Sequence, residues 1–423
     1  MTRPLDALAD EIIDFRFKGL PPGATGLRVR ELAAERRDLY TGGFITPLLT
    51  LSAEAVDHNL RSMQRFASRH GLDLAPHGKT SMAPQLFQRQ LDHGAWGITV
   101  AVPHQARVAR AFGVPRIFLA NQLVDPAALA WLAAEQDDDS VFRCVCYVDS
   151  TRGVALMDEA LRAAGAVRQV EVVVELGARG ARSGVRDFAQ AAEVADAVAA
   201  AGTLRLVGVA GYEGELPDPD AESVREWLGL LCALAVEFDK AGRFAGLPEI
   251  IVSAGGSAWF DAVAEAFGEL PDLSRPVCRM LRSGAYVSHD DGRYRNATPF
   301  NRVPQEGSLL PAFRLWAQVV SRPEPGLALL NAGKRDIAYD LGLPEVQAVR
   351  GADGRVRGGG GLAVGRLADQ HAFVTVAAEA AGPEVGDWVA LGMSHPCTIF
   401  EKWPLIPLVA GDGTVTDYIR TFF

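Results

Sequence analysis

Cysteine is scarce in this chain: five in 423 residues, at positions 144, 146, 232, 278 and 397. They are too few and too scattered for a disulfide framework, so a reducing compartment is expected. No stretch reaches 18 uninterrupted apolar residues, which excludes an apolar membrane-spanning helix. Met1 to Leu20 carries acidic residues throughout and lacks the apolar region of a secretory signal. A cytoplasmic protein without membrane association is expected. Basic runs are missing too, and 42 Lys+Arg against 52 Asp+Glu give a net charge of −10, so nucleic acid is not an expected partner. No solenoid-like repeat is visible. What remains is ordinary: 22% charged and 48% hydrophobic residues exclude collagen-like, coiled-coil and disordered chains. The length suits two domains, or one large barrel with an accessory part.

From residue 72 short β-branched runs alternate with longer helical patterns, the signature of βαβ units. Eight strands are predicted: Leu72–Pro76, Trp96–Val100, Arg116–Ala120, Arg143–Val148, Val170–Leu176, Leu204–Ala210, Glu249–Ser253 and Val277–Leu281. Segments such as Pro126–Gln136, Phe188–Ala201 and Ala221–Ala241 are long enough to cross back as helices. Eight β/α repeats in about 250 residues predict a (β/α)8 TIM-like barrel with its site at the carboxyl ends of the strands. Ahead of it, Thr46–Leu51 reads as a leading strand, followed by a helix with Ser52 as N-cap and Val56, Leu60, Met63, Phe66 and Ala67 on one face. Beyond about residue 305 short alternating runs take over, at Phe313–Val320, Leu327–Leu330, Ala372–Ala377, Asp387–Leu391 and Leu405–Val409. They predict a smaller, mainly antiparallel β-domain. The division is 46–305 for the barrel, with 1–45 and 306–423 forming the β-domain. Gly351-Ala-Asp-Gly354 and the glycines 358 to 361 read as turns, since no helix follows to make a phosphate loop.

The first barrel strand ends in Ala75-Pro-His-Gly-Lys79-Thr80. A lysine there points into the barrel mouth, where partial desolvation makes a neutral, nucleophilic amine suited to a Schiff base; most lysines are simply solvated. The seventh and eighth strands run into Gly255-Gly256-Ser257 and Arg282-Ser-Gly284-Ala-Tyr286. In such barrels these loops hold phosphate through approachable backbone N–H groups. An inward lysine beside a phosphate cradle suggests pyridoxal phosphate. Arg182, with Arg179 as competitor, is placed to meet the cofactor's phenolic oxygen or a substrate carboxylate, a task also open to Arg282. Tyr212 is placed to flank the ring, and a surface role is the plainer reading of each. His77, His104 and His289 could line the mouth, though turn or solvated roles are plainer for each. In an extended segment His395 and Cys397 share a face, and an imidazole with a thiolate is a good pair for zinc that leaves positions open for water or substrate. Free cysteines such as Cys144 and Cys146 more often just fill a core.

Taken together, Pro76-His-Gly-Lys79-Thr80, Arg182-Ser-Gly184, Gly255-Gly-Ser257, Arg282-Ser-Gly284-Ala-Tyr286 and His395-Pro-Cys397 resemble the metal-activated D-threonine aldolase and eukaryotic-type D-serine dehydratase family, of the alanine racemase-like fold type III. The resemblance runs in order from about residue 45 to 410. It implies Lys79 as the lysine that carries pyridoxal 5'-phosphate and then acts as base at the α-carbon. It implies cofactor contacts from His77, Arg182, Tyr212, Gly255, Gly256, Ser257, Gly284 and Tyr286. His395 and Cys397 would hold a divalent metal, zinc ahead of manganese, on the substrate's β-hydroxyl, in a homodimer. The stretch Thr398-Ile-Phe-Glu-Lys-Trp403 departs from the aldolases. The expected activity is therefore D-serine-type dehydration to a 2-keto acid and ammonia. Aldol cleavage of D-threonine or a D-3-hydroxyaspartate is the alternative, followed by a metal-free racemase and a non-catalytic pyridoxal phosphate carrier.

Overall fold

The computed structural model describes residues 4–423. Eight parallel strands form one curled sheet: Asp73–Leu74, Ile98–Val100, Arg116–Gln122, Arg143–Val148, Val170–Leu176, Leu204–Gly211, Ile250–Ala254 and Val277–Leu281, each beside its sequence neighbour, with the last returning to the first. The ring closes through a bridge between His77 and Thr99, where Trp96 N–H donates to the Leu74 carbonyl at 2.7 Å and Thr99 N–H to that of Pro76 at 2.9 Å. Fully buried apolar side chains occupy both faces of the sheet, with Val145 and Ile251 on one and Val172, Val174 and Val209 on the other. Cys144 and Cys146 are buried in the same core and burial pushes both thiols up, which suits inert hydrophobes.

Helices Pro126–Asp138, Phe188–Ala200 and Ala221–Lys240 cover the outside, each started by an aspartate cap: Asp125, Asp187 and Asp220 accept N–H bonds from Ala128, Gln190 and Ser223. Ser52 caps Ala53–Arg69 by accepting from Ala55 N–H, and that helix buries Val56, Leu60, Met63, Phe66 and Ala67 as its periodicity predicts.

The second sheet is antiparallel but for one pair. Phe313–Glu324 is its hub, with Leu48–Ser52 on one side and Trp388–Gly392 on the other. Leu48–Ser52 is thus the expected leading strand, shifted past Pro47, which has no N–H to donate, and it lies in this sheet and not in the barrel. Leu405–Val409 runs parallel to it and pairs with Val415–Arg420. Four strands escaped the sequence reading: Glu345–Arg350, Val356–Gly358, Leu362–Leu367 and Val415–Arg420. Val356–Gly358, Leu362–Leu367 and Val415–Arg420 are edge strands and Glu345–Arg350 lies next to an edge, and several of their positions are half-exposed or exposed, so alternation is weak. Gly351–Gly354 is the turn of the hairpin between the first two of these, as read. Among residues 4–45 there are two short helices, Pro4–Ala9 and Val29–Ala34. Their neighbours Ile13, Phe17, Leu20 and Leu39 pack with Leu48, Trp316 and Tyr418 in a separate apolar cluster. No helix among the described residues is long and apolar enough to cross a membrane.

Candidate active site

A cavity of about 340 Å³ opens at the carboxyl ends of the barrel strands, lined from one side by Lys79 and from another by His395 and Cys397 of the antiparallel part. Larger hollows of about 590 and 690 Å³ lie elsewhere, one against the outer helices and one by Lys18 and Asp336, and neither contains a strand-end motif. Chemistry, not volume, identifies the site.

Lys79 stands on a single turn, Gly78–Thr80, that follows the first strand. The surrounding walls lower its pKa first of all, Arg182 and Arg282 add to that, and Cys397 and Glu215 oppose it. It makes no hydrogen bond or ion pair among the described residues, so the amine is free for a ligand. His77 packs behind it. Desolvation and then the nearby cations hold its imidazole neutral, and its buried Nδ1 has no partner.

Two glycines are required by close approach. Gly284, after the eighth strand, lies so near the first strand's loop that a Cβ would come within 2.4 Å of the His77 carbonyl oxygen. Gly255, after the seventh, has φ +98°, the left-handed region open to glycine. The N–H groups of Gly255 and Gly256 are not free, however. They donate at 3.0 and 2.8 Å to the carboxylate of Glu213, which is wholly buried beneath the turn. Sequence reading missed Glu213 although it stands inside the Gly211-Tyr-Glu-Gly214 motif. The carboxylate shapes the turn, and Ser257, Gly284 and Ala285 line the cavity beyond it.

Tyr212 lies flat on the same turn, its ring within 2.6 Å of where a Gly256 Cβ would be, and burial pushes its phenol up to about 12. Arg182 lines the cavity, 5.7 Å from the centre of that ring, and pairs at 3.3 Å with Glu215. Arg179 is exposed and outside it. Arg282 points into the barrel, donating to Ser253 and to the Gly211 carbonyl and stacking 5.3 Å from Phe118 and 5.9 Å from Tyr147. The Tyr147 hydroxyl, buried at the cavity's edge, has no partner. Tyr286 is a correction: its ring is turned into the core, where its hydroxyl accepts from Gln90 at 3.2 Å, and it does not line the cavity. His104 and His289 do not line it either.

On the far wall His395 sits in left-handed backbone, φ +61°. Its Nδ1 bonds Asp340, and Thr398 donates to the same carboxylate at 2.8 Å. The imidazole is pushed up to about 9, first by its hydrogen bond with Cys397 and then, against burial, by Asp340. Burial alone would raise the Cys397 thiol, but His395 and Thr80 bring it below its ordinary value. Among the described residues no three His, Cys, Asp or Glu side chains converge on one point, so the protein offers a metal two donors, with Asp340 behind the histidine.

Residues 51–276 match the family description "Alanine racemase, N-terminal domain" and 312–409 match "Putative serine dehydratase domain". The chain is 28% identical over 375 residues to a D-threonine aldolase of Arthrobacter sp., covering 88% of this chain and 90% of that protein. It is 29% identical over 306 residues to a 3-hydroxy-D-aspartate aldolase of Paracoccus denitrificans, covering 71% and 75%. It superimposes on the crystal structure of a D-threonine aldolase from Filomicrobium marinum with TM-score 0.75 and 26% identity, over 90% of this chain and 95% of that one. With the first match spanning more than half of its length, and a closed parallel barrel joined to an antiparallel sheet, the chain belongs to the alanine racemase N-terminal domain family of fold type III.

Proposed function

We propose that this chain is a lyase that uses pyridoxal phosphate and a divalent metal on β-hydroxy D-amino acids, and that it dehydrates them to a 2-keto acid and ammonia. The observation that carries the reading is a free, pKa-lowered amine, Lys79, sharing one cavity with a histidine–thiol pair and two glycine turns. The cavity fits the cofactor: it offers an amine for the aldehyde, unpartnered Nδ1 and hydroxyl groups at His77 and Tyr147, and a turn that a Cβ would fill. Bound there, pyridoxal phosphate would supply an electron sink at the α-carbon. Ser257, Gly284 and Ala285 would meet its phosphate, and Arg182 and Tyr212 its ring. The donor set at the other wall fits a metal, since an imidazole with a lowered thiol suits zinc better than manganese; such an ion would supply Lewis acidity at a β-oxygen. That the substrates are D-configured β-hydroxy amino acids is supported by the names of the Arthrobacter and Paracoccus relatives.

The chain's own residues divide the work. Lys79 takes the α-proton. His395 and Cys397 fix the β-substituent on the opposite wall, and Arg182 is the cation open to a substrate carboxylate, because Arg282 is tied into the barrel. Aldol cleavage also needs a base at the β-oxygen. The cavity lining contains no carboxylate, and the nearest acceptors there are the histidine and thiol of the donor pair. One free amine therefore supports dehydration. Aldol cleavage stays as the second reading because all three relatives named above are aldolases by name. Product analysis decides: D-serine or D-threonine should yield pyruvate or 2-oxobutyrate with ammonia, whereas glycine with acetaldehyde would establish the aldolase. Turnover of neither would favour the carrier.

A homodimer is part of the proposal. Tyr339, Leu341 and Leu343 are exposed on either side of Asp340, whose carboxylate bonds the cavity-lining His395, an apolar strip suited to a second copy. Light scattering should give twice the chain mass of 45.2 kDa, and a monomer would discard this point.

A further inference from the structure

One polar side chain of the cavity has no task in the scheme above. Tyr294 lines the same wall as His395 and Cys397, and its hydroxyl has no hydrogen-bond partner among the described residues. Its placement is over-determined. The wholly buried Asp290 accepts from the N–H groups of Gly292, Tyr294 and Arg295 at 3.0, 2.8 and 3.2 Å through one oxygen, and from His395 N–H at 2.9 Å through the other. Asp291 N–H donates to the Met393 carbonyl at 3.1 Å and Arg293 N–H to the Ser394 hydroxyl at 3.0 Å. A Cβ on Gly292 would strike Ser394 at 2.7 Å. The segment bearing the phenol and the segment bearing the histidine are thus laced into one rigid unit, and four N–H groups on a single buried carboxylate are strong, charge-assisted bonds.

Dehydration has a requirement that this corner can meet. Hydroxide is a poor leaving group, and water a good one. We propose that Tyr294 is a catalytic residue whose phenol donates the proton with which the β-hydroxyl departs as water. The inference rests on the lyase reading. The step balances: Lys79 takes the α-proton, the C–H electron pair forms the Cα–Cβ double bond, the Cβ–O bond breaks with its pair to oxygen, and that oxygen takes the phenolic proton. The phenolate recovers a proton from the Lys79 ammonium through the cavity, so no net charge accumulates and nothing is oxidised. Hydrolysis of the resulting enamine gives the keto acid and ammonia.

The test is Tyr294→Phe in the holoenzyme, with D-serine compared against β-chloro-D-alanine, whose chloride leaves without a proton. D-Serine turnover should fall by about 10²- to 10⁴-fold, the usual contribution of a positioned acid. Elimination from β-chloro-D-alanine, exchange of the α-proton of D-serine in D₂O, visible absorption and bound metal should all stay near wild type. Undiminished D-serine turnover overturns the proposal, and so does an equal fall on both substrates, which would mark a merely structural role, or loss of metal. A wild-type enzyme inert toward both substrates overturns the dehydration reading itself, and this inference with it.

Discussion

Lys79→Ala gives a folded, colourless protein. The side chain has no hydrogen bond or ion pair among the described residues, so its removal strands no partner and leaves no packed cavity; the thermal midpoint of the cofactor-free protein should stay within about a degree of the cofactor-free wild type. Function falls away instead. Covalent capture of the aldehyde and α-proton removal pass through the same nitrogen, so turnover should drop by about 10⁴-fold or more and the visible absorption should vanish. The walls that desolvate this amine, with Arg182 and Arg282 beside it, shift its neutral form to lower pH than an ordinary lysine's, so the wild type should reach full activity on the alkaline side earlier than an unperturbed lysine would allow. A variant that keeps its colour would show that another group holds the cofactor.

How much of this was legible depends on what each residue's signal is made of. Barrel strands such as Arg143–Val148, Val170–Leu176 and Val277–Leu281 are short apolar or β-branched runs between turn signals, and the structure places them at the residues read. Lys79, Gly255, Gly256, Ser257, Gly284, His395 and Cys397 were legible because each follows a strand in a motif, and all line one cavity. Tyr286 shows the limit: two residues past Gly284, nothing in the chain says that a single 3-10 turn rotates it into the core toward Gln90. Asp340 and Asp290 act 55 and 105 residues away from His395, a proximity no local pattern encodes. Tyr294 lies in a short polar helix where nothing but the tertiary contact with the histidine segment sets it apart. Glu213 was the one missed residue with a signal, an acid at a strand's end between two glycines, where an unpaired charge is costly unless something donates to it.

Removing the metal should separate binding from chemistry. Chelation, His395→Ala and Cys397→Ala are each expected to leave visible absorption intact, because none touches Lys79 or the glycine turns, yet to lower turnover by about 10³-fold as Lewis acidity at the β-oxygen is lost. The two variants should not be equal in every respect. Cys397 is half-buried against Thr80, beside the lysine's own turn, so its loss should also move the pH dependence: the thiolate opposes the lowering of the Lys79 pKa, and without it the amine becomes neutral at still lower pH. His395→Ala lacks that direct effect on the amine. Asp340→Asn should fall between these and wild type, weakening metal affinity by about 10- to 100-fold as the histidine loses the carboxylate that orients it. Full activity in a metal-free preparation would strip His395 and Cys397 of this role, and would leave the strained backbone at His395, held by Asp290, without a chemical purpose.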